Sequence, residues 1–322
     1  MIFFMKDDAD IHSKIDKIGS HQNLEAFLYA EECLRRNINT YWSSLDNINY
    51  DDNRIKLYDL KNKQTLVVSI PELHKYSDIL LFKTVGSIES KLLNIKKGMT
   101  FLNKHYKGTI INNPDTIIYG SNKNYLIDLQ KNKFPIIPSD IFPNNISEKE
   151  LKNSYKDCSK YLIKSATGEL SNSLMNLSEI DENWLRRKEN KVGGWIVQPI
   201  QNDVWNGEYQ IVFFGDKLSH AQVKAYQKKN SAIPKQDERT FHPYNPSKDE
   251  IQMCLEMKQH IEHDMRKTIH YFRCDYFKNK LNKMSILEFE MVNPGFFLMY
   301  RERTESNKIA KNFIDYLLTK SR

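Results

Sequence analysis

Glycine is scarce in this chain, 11 of 322 residues, and no cluster of glycines forms the loop that lets backbone amides wrap a pyrophosphate. That absence excludes a dinucleotide-binding domain. Cys33, Cys158, Cys254 and Cys274 show no paired spacing, which excludes a disulfide scaffold and predicts free thiols in a reducing cytoplasm. No apolar run is long enough to cross a bilayer, so no membrane segment is expected. The start, MIFFMKDDADIHSK, reads as a buried first strand and not as a signal peptide. The formal net charge of +7 is spread along the chain without an Arg-rich arm or a basic and aromatic repeat. It implies attraction for phosphates and no nucleic-acid partner.

Apolar and aromatic residues are plentiful enough for a folded core. The stretch Tyr271 to Phe297 is the most informative. It reads as two strands joined by a polar turn, Lys278 to Lys283. Side chains alternate across a strand, so Phe272, Cys274 and Tyr276 share one face while Arg273 and Asp275 share the other. On the second strand Leu287, Phe289 and Met291 form an apolar face, with Glu288 and Glu290 opposite. Pairing of the two strands gathers three carboxylates and a guanidinium on one patch. Carboxylates that close repel unless a cation sits between them, and a hard ion such as Mg²⁺ suits oxygen ligands and phosphate.

Before this hairpin the pattern alternates. Ile2 to Met5 reads as a strand and Gln22 to Arg36 as a helix. Strands are expected at Thr40 to Ser43, Ile55 to Tyr58, Leu66 to Ile70, Ile79 to Phe82 and Thr109 to Ile111, with a helix from about Ser87 to Lys104. Such alternation predicts an open α/β domain over residues 1–113. Asn112-Asn113-Pro114 marks a boundary. Beyond it, Asn122 caps a predicted helix Lys123 to Lys131, Phe134 to Pro138 reads as a strand, and Tyr161 to Lys164 is a strand ending in lysine. Ser165 to Ser173 is a small-residue loop, and Gly193-Gly194 leads into the strand Trp195 to Ile200. Tyr209 to Phe214 and Leu218 to Tyr226 form a tight hairpin. Gln227 to Asn245 reads as a mobile loop. Ser247 and Glu250 form a capping box for a helix ending near Met265, and a helix from about Asn307 to Leu318 follows the hairpin.

In this order the segments resemble the ATP-grasp superfamily, in its glutathione-synthetase-like and glutamate-ligase-like branches. The resemblance implies an α/β fold of an N-terminal α/β domain and a two-lobed grasp, with a small lobe over 114–197 and a larger one over 198–322. It implies an ATP-dependent carboxylate–amine ligase working through an acyl phosphate. The alternative is a kinase-type or non-catalytic nucleotide-binding protein of the same fold. Residue by residue, it assigns Lys123 and Lys164 to the nucleotide phosphates, Gln198, Pro199 and Ile200 to the adenine, and Glu208 to the ribose. Arg273 and Lys224 become catalytic, and Asp275, Glu288 and Glu290 ligands of Mg²⁺ or Mn²⁺. Asn293, Arg301 and His220 are candidates for substrate binding. The implied partners are small-molecule or peptide carboxylates and amines, in a homodimer or homotetramer.

The chain departs from that pattern in three places. The loop after Lys164 has Ser165 and only Gly168 where relatives carry proline and several glycines. Glu290 stands where asparagine is common, and Gln227 to Asn245 matches no branch and is expected to set substrate choice. Taken singly, Lys123 and Lys164 read as surface lysines, Gln198-Pro199-Ile200 as an edge-strand exit, and Glu208 as the start of a strand. His260 and His263 lie one helical turn apart but lack an evident third metal ligand.

Overall fold

Three sheets organise the residues that the computed structural model describes, which are 1–5, 21–83, 88–167, 174–187, 193–226 and 239–321. The first holds Ile2–Met5 (β1), Tyr41–Ser44 (β2), Ile48–Asn49 (β3), Arg54–Asp59 (β4), Gln64–Ser69 (β5), Ile79–Phe82 (β6) and Thr109–Ile111 (β7). β1 runs parallel to β2 and β6, and β6 parallel to β7, while β4 is antiparallel to its neighbours. Central parallel strands are covered on both faces, which is why IFF and ILLF are apolar without alternation. Ile2, Phe4 and Phe82 pack with Ile95 and Met99 of the helix Ile88–His105. Phe3 and Leu81 face the other way, against Ala26, Tyr29 and Cys33 of the helix His21–Arg35. The α/β expectation for this part therefore holds, with ends shifted by a residue or two.

The second sheet has the order β10-β9-β11-β8 and comprises Asp140–Phe142 (β8), Tyr161–Ser165 (β9), Met175–Asn176 (β10) and Trp195–Pro199 (β11). Gly194 enters β11 at φ 89°, where a Cβ would stand 2.4 Å from the Phe142 carbonyl oxygen, so a side chain is excluded there. The expected strand at Phe134 to Pro138 is not one. Pro135 and Pro138 lack the N–H that a ladder needs, and the segment makes only a bridge, Ile136 to Ile286.

The third sheet is antiparallel, in the order β14-β13-β12-β15-β16: Glu208–Phe214 (β12), Lys217–Tyr226 (β13), Arg239–Pro243 (β14), Tyr271–Lys278 (β15) and Met284–Glu290 (β16). One face packs Ile211, Phe213, Phe272, Cys274 and Phe289 on Cys254, Met257 and Ile261 of the helix Lys248–Met265. Both halves of the Ser247–Glu250 capping box form. The opposite face is apolar at one end, where Val212, Phe214 and Tyr271 meet Phe296 and Phe313. At its other end it carries Glu208, Gln210 and Asp275, all buried.

Two expectations need correction here. Residues 239–243 of the supposed loop Gln227 to Asn245 form β14, whose Phe241 alternates with Thr240 and His242 and pairs with Lys224; 227–238 lie outside the described residues, as do 168–173 of the small-residue loop. On β16 the register shifts between Asp275 and Tyr276, so that Asp275 faces Glu288 and Tyr276 faces Ile286. Leu287 is the extra residue of this bulge. Ile286 takes its expected place beside Phe289, and Leu287 packs with Ile137, Val204 and Phe277 instead.

Asn112 ties β7 to the third sheet. Its amide donates to the carbonyls of Tyr271 and Met291 at 3.0 and 2.9 Å, and its oxygen accepts from the N–H groups of His270 and Tyr271 at 2.7 and 3.3 Å. All four cysteines are free thiols. No helix among the described residues is long and apolar enough to cross a membrane.

Candidate active site

Strand register brings the candidate residues together. Asp275 stands between Gln210 and Glu288, Arg273 between Val212 and Glu290, and Glu208 opposite Lys224. Residues directly opposed on one face touch, so the polar end of the sheet is a continuous ionic surface. Arg273 grips Asp275 with both prongs of its guanidinium, Nε to Oδ1 at 2.6 Å and Nη2 to Oδ2 at 2.8 Å. Its Nη1 donates to the Gly295 carbonyl at 2.8 Å, and the Phe297 ring lies 5.1 Å away. Lys224 Nζ lies 2.6 Å from Glu208 Oε1, whose other oxygen accepts from the Tyr226 hydroxyl at 3.0 Å. Glu290 accepts the N–H groups of Val292 and Asn293 at 2.9 and 3.2 Å, turning the chain out of β16.

The two upstream lysines reach the same surface, Lys164 from β9 and Lys123 from the turn between the helices Pro114–Gly120 and Tyr125–Lys131. The Lys123 N–H bonds the Ala166 carbonyl at 2.8 Å, just past β9, and its Nζ pairs with Glu288 Oε1 at 2.9 Å. The helix after it starts at Tyr125 and not at Lys123, because the Asn122 side chain accepts from the Asn124 N–H at 2.9 Å and holds that turn open. Burial pushes the Lys164 ammonium down to about 8, opposed by Glu288 and assisted by Lys123. Burial pushes the Asp275 carboxyl up to about 6 although Arg273 opposes it. Burial acts the same way on Glu288, but Lys123 and Lys164 overcome it and hold that carboxyl below its ordinary range.

The remaining candidates each have partners of their own. Gln198 is buried on β11 and donates to Ser139 Oγ at 2.8 Å, and the Ile200 N–H continues the ladder to the Lys160 carbonyl at 2.9 Å. A single 3₁₀ turn, Asn202–Asn206, carries the chain from there to Glu208. His220 is packed, with Nε2 3.0 Å from the Phe296 carbonyl oxygen and Nδ1 2.9 Å from Ser219 Oγ. Burial and the nearby Arg301 push its imidazole down to about 3, so it is neutral. Arg301 donates to the Ala221 carbonyl at 2.9 Å and pairs with Glu305, leaving its buried Nε without a partner.

The acidic trio is held apart by its own partners: Asp275 by Arg273, Glu288 by Lys123, Glu290 by backbone. Among the described residues, Asp128, His260 and Asp264 form the one group of three ligand atoms lying within 4.8 Å of one another. There His260 Nε2 sits 2.8 Å from Asp128 Oδ2 and bridges two helices, whereas His263 is exposed.

The architecture is shared with known structures. D-cycloserine synthetase DcsG matches at TM-score 0.71 and 14% identity, covering 98% of this chain and 100% of that one. A Chryseobacterium gregarium RiPP-associated ATP-grasp ligase, in complex with ADP and a leader and core peptide, matches at TM-score 0.63 and 13% identity, over 100% of this chain and 96% of its own. The fold is ATP-grasp. D-alanyl-alanine synthetase A from Vibrio cholerae O1 biovar eltor agrees, at TM-score 0.62 and 11% identity over 99% and 97% of the two chains. No family model matches the sequence, and no curated protein is significantly similar to it.

Four further polar residues lie against this ionic surface or beneath it. Gln210 and Gln222 lie opposite each other on β12 and β13, fully buried between the ionic residues. Their signal was the strand alternation Glu208, Gln210 and Gln222, Lys224. Glu25 and Lys83 form a buried pair, 3.3 Å apart, beneath the loop after Asn293. Glu25 accepts the N–H groups of Phe296 and Leu298 at 3.1 and 3.2 Å, and Lys83 donates to the Pro294 carbonyl. Lys83 directly after the apolar run ILLF was a visible anomaly; Glu25, on a helix far away in sequence, had no signal.

Proposed function

We propose that this chain is an ATP-dependent carboxylate–amine ligase. The observation that carries the reading is the meeting of Lys123, from a turn anchored to the end of β9, and Lys164, on β9, with Glu288 and Glu208 on the third sheet, beside the Arg273–Asp275 fork. A cleft with cations on one wall and acids on the other suits a metal-bound triphosphate. On this reading residues 1–113 precede the grasp, 114–197 form its small lobe and 198–322 the lobe bearing the acids.

The carboxylates fit a hard divalent ion. All three donors are oxygens, and burial raises the Asp275 carboxyl although Arg273 opposes it, so a cation beside it would favour the charged form. Asp275, Glu288 and Glu290 would hold Mg²⁺, or Mn²⁺ in its place, which when bound neutralises charge on the phosphates. The chain's own residues do the rest. Lys123 and Lys164 bind phosphate oxygens as point charges. Gln198, Pro199 and Ile200 flank the adenine, and Glu208 accepts from the ribose hydroxyls. Transfer of the γ-phosphoryl group to the substrate carboxylate releases ADP and leaves an acyl phosphate. Attack of an amine on its carbonyl forms a tetrahedral oxyanion, which expels phosphate and yields the amide. Arg273 is aimed to donate to that oxyanion or to the transferring phosphoryl group, and Lys224 neutralises charge beside it. Asn293, His220 and Arg301 line the substrate side.

The similar structures include synthetases of D-cycloserine and D-alanyl-alanine and a ligase bound to its peptide. They support an amino acid or peptide as substrate. The test is ADP release across paired acids and amines, with the adduct detected by mass. ADP that appears only with an acid and is accompanied by an amide supports a ligase; phosphorylated acid without amide contradicts it.

A further inference from the structure

A buried line of hydrogen bonds runs from Arg301 to the acidic centre. Arg301 Nη2 donates to Gln222 Oε1 at 3.4 Å. Gln222 Nε2 donates to Gln210 Oε1 at 3.0 Å. Gln210 Nε2 then donates to both Glu208 Oε1 at 3.0 Å and Asp275 Oδ2 at 3.3 Å. No water is needed to complete the line, since Gln210 and Gln222 are 0% and 1% exposed.

The direction of the line follows from its ends. A glutamine amide turned over fills the same space but exchanges an acceptor for two donors. A guanidinium only donates, so beside Arg301 the Gln222 oxygen faces back and its amino group faces forward. Gln210 receives that amino group with its oxygen and is left with its own amino group toward Glu208 and Asp275. Arg301 is itself fixed, by the Ala221 carbonyl at 2.9 Å and by Glu305. With Gln210 reversed, a carbonyl oxygen would face two carboxylates, a repulsive contact in a buried setting.

We infer that Arg301 is a positioning residue that acts through Gln222 and Gln210 to keep one donor on both Glu208 and Asp275. The inference rests on the proposed ligase reading for its function, because those carboxylates are the ones assigned to ribose and metal. The line fixes which lone pairs remain available: Asp275 spends contacts on Arg273 and Gln210 and presents the rest to the cleft.

The decisive substitution is Gln222→Glu. It keeps the size and gains an ion pair with Arg301, but it only accepts, so Gln210 must turn its amino group away from Asp275. Calorimetric binding of a non-hydrolysable ATP analogue, with Mg²⁺ and with chelator, gives the readout. Gln222→Glu is expected to weaken the Mg²⁺-dependent binding about tenfold or more, the scale of losing hydrogen bonds to charged groups. Its melting temperature should fall, because the reversed Gln210 sets a carbonyl against two buried carboxylates, and its binding in chelator should weaken less than the Mg²⁺-dependent binding; Arg301→Lys, which still only donates, should retain most of the affinity. Arg301→Met and Gln222→Met should together cost no more than the worse of the two alone, since both cut one line. Wild-type affinity in Gln222→Glu, or additive losses in the double variant, would overturn the inference. A readout free of nucleotide accompanies these: ¹⁵N spectra should show Gln210 side-chain amide protons protected from exchange in the wild type and exposed in Arg301→Met. Equal protection in both sinks the line, whereas failure of the wild type to bind nucleotide sinks only the ligase reading.

Discussion

Lys123 Nζ lies 2.9 Å from Glu288 Oε1, an ion pair that ties the turn before the helix Tyr125–Lys131 to the last strand of the third sheet. In the ligase reading the lysine passes to phosphate and the glutamate to the metal ion. Glu288→Gln preserves shape and removes charge, so it is expected to abolish ADP formation while circular dichroism stays near wild type; melting should fall somewhat, because Lys123 and Lys164 lose their counter-charge. Lys123→Met should weaken ATP binding in the same titration.

Arg273 serves two purposes, and its variants separate them. Arg273→Ala should lower turnover by about a hundredfold, the scale of about 3 kcal/mol for one oxyanion donor. It also strands the buried Asp275 carboxylate, so the melting temperature should fall. Arg273→Lys keeps the charge but loses the two-pronged grip on Asp275. It should recover stability more than turnover, as measured by melting and by kcat in parallel.

In the ligase reading, Lys164 should make nucleotide binding dependent on pH. Its ammonium titrates near 8, below the ordinary 10.5, because burial opposes the charge. The charged form that phosphate requires is present below 8 and lost as pH rises through it. The dissociation constant for ATP should therefore rise above pH 8, by up to about tenfold per unit. Lys164→Arg stays charged and should flatten the profile. The effect on folding has the opposite sign: this residue adds stability as pH climbs from about 8 toward 10.5.

Glu250 governs acid stability. Burial alone would raise its carboxyl, but Lys278, the Ser247 N–H and the hydroxyls of Tyr276 and Tyr244 hold it down to about 2 from 4.5. Its contribution is present above about 4.5 and lost as pH falls toward 2. Glu250→Gln should cost about 2 kcal/mol at pH 7, and the gap to wild type should close in urea titrations near pH 2.

Much of this site was legible because it obeys strand periodicity. Arg273 with Asp275, and Glu288 with Glu290, share faces as alternation requires. Leu287 was misplaced because a bulge is a property of two strands and leaves no mark on either one. Phe134 to Pro138 was misread because its apolar pattern outweighed two prolines that deny the ladder its donors. β14 was hidden in a polar stretch, since Phe241 alone supplies an apolar side chain between Thr240 and His242. Gln210 and Gln222 carry no charge and fit no motif; alternation puts them on the faces of Glu208 and Lys224, but their pairing with each other comes only from the cross-strand register. The Glu25–Lys83 pair joins distant positions, and no local pattern encodes such a contact.

The most direct test of the central claim is the stoichiometry of ADP and amide when the purified chain meets ATP, Mg²⁺ and its acid and amine, with Glu288→Gln beside it. The account predicts one ADP per amide in the wild type, transfer of carboxylate ¹⁸O into the released phosphate, and neither product in the variant. ADP formed equally well by Glu288→Gln, or amide formed without oxygen transfer, would contradict it.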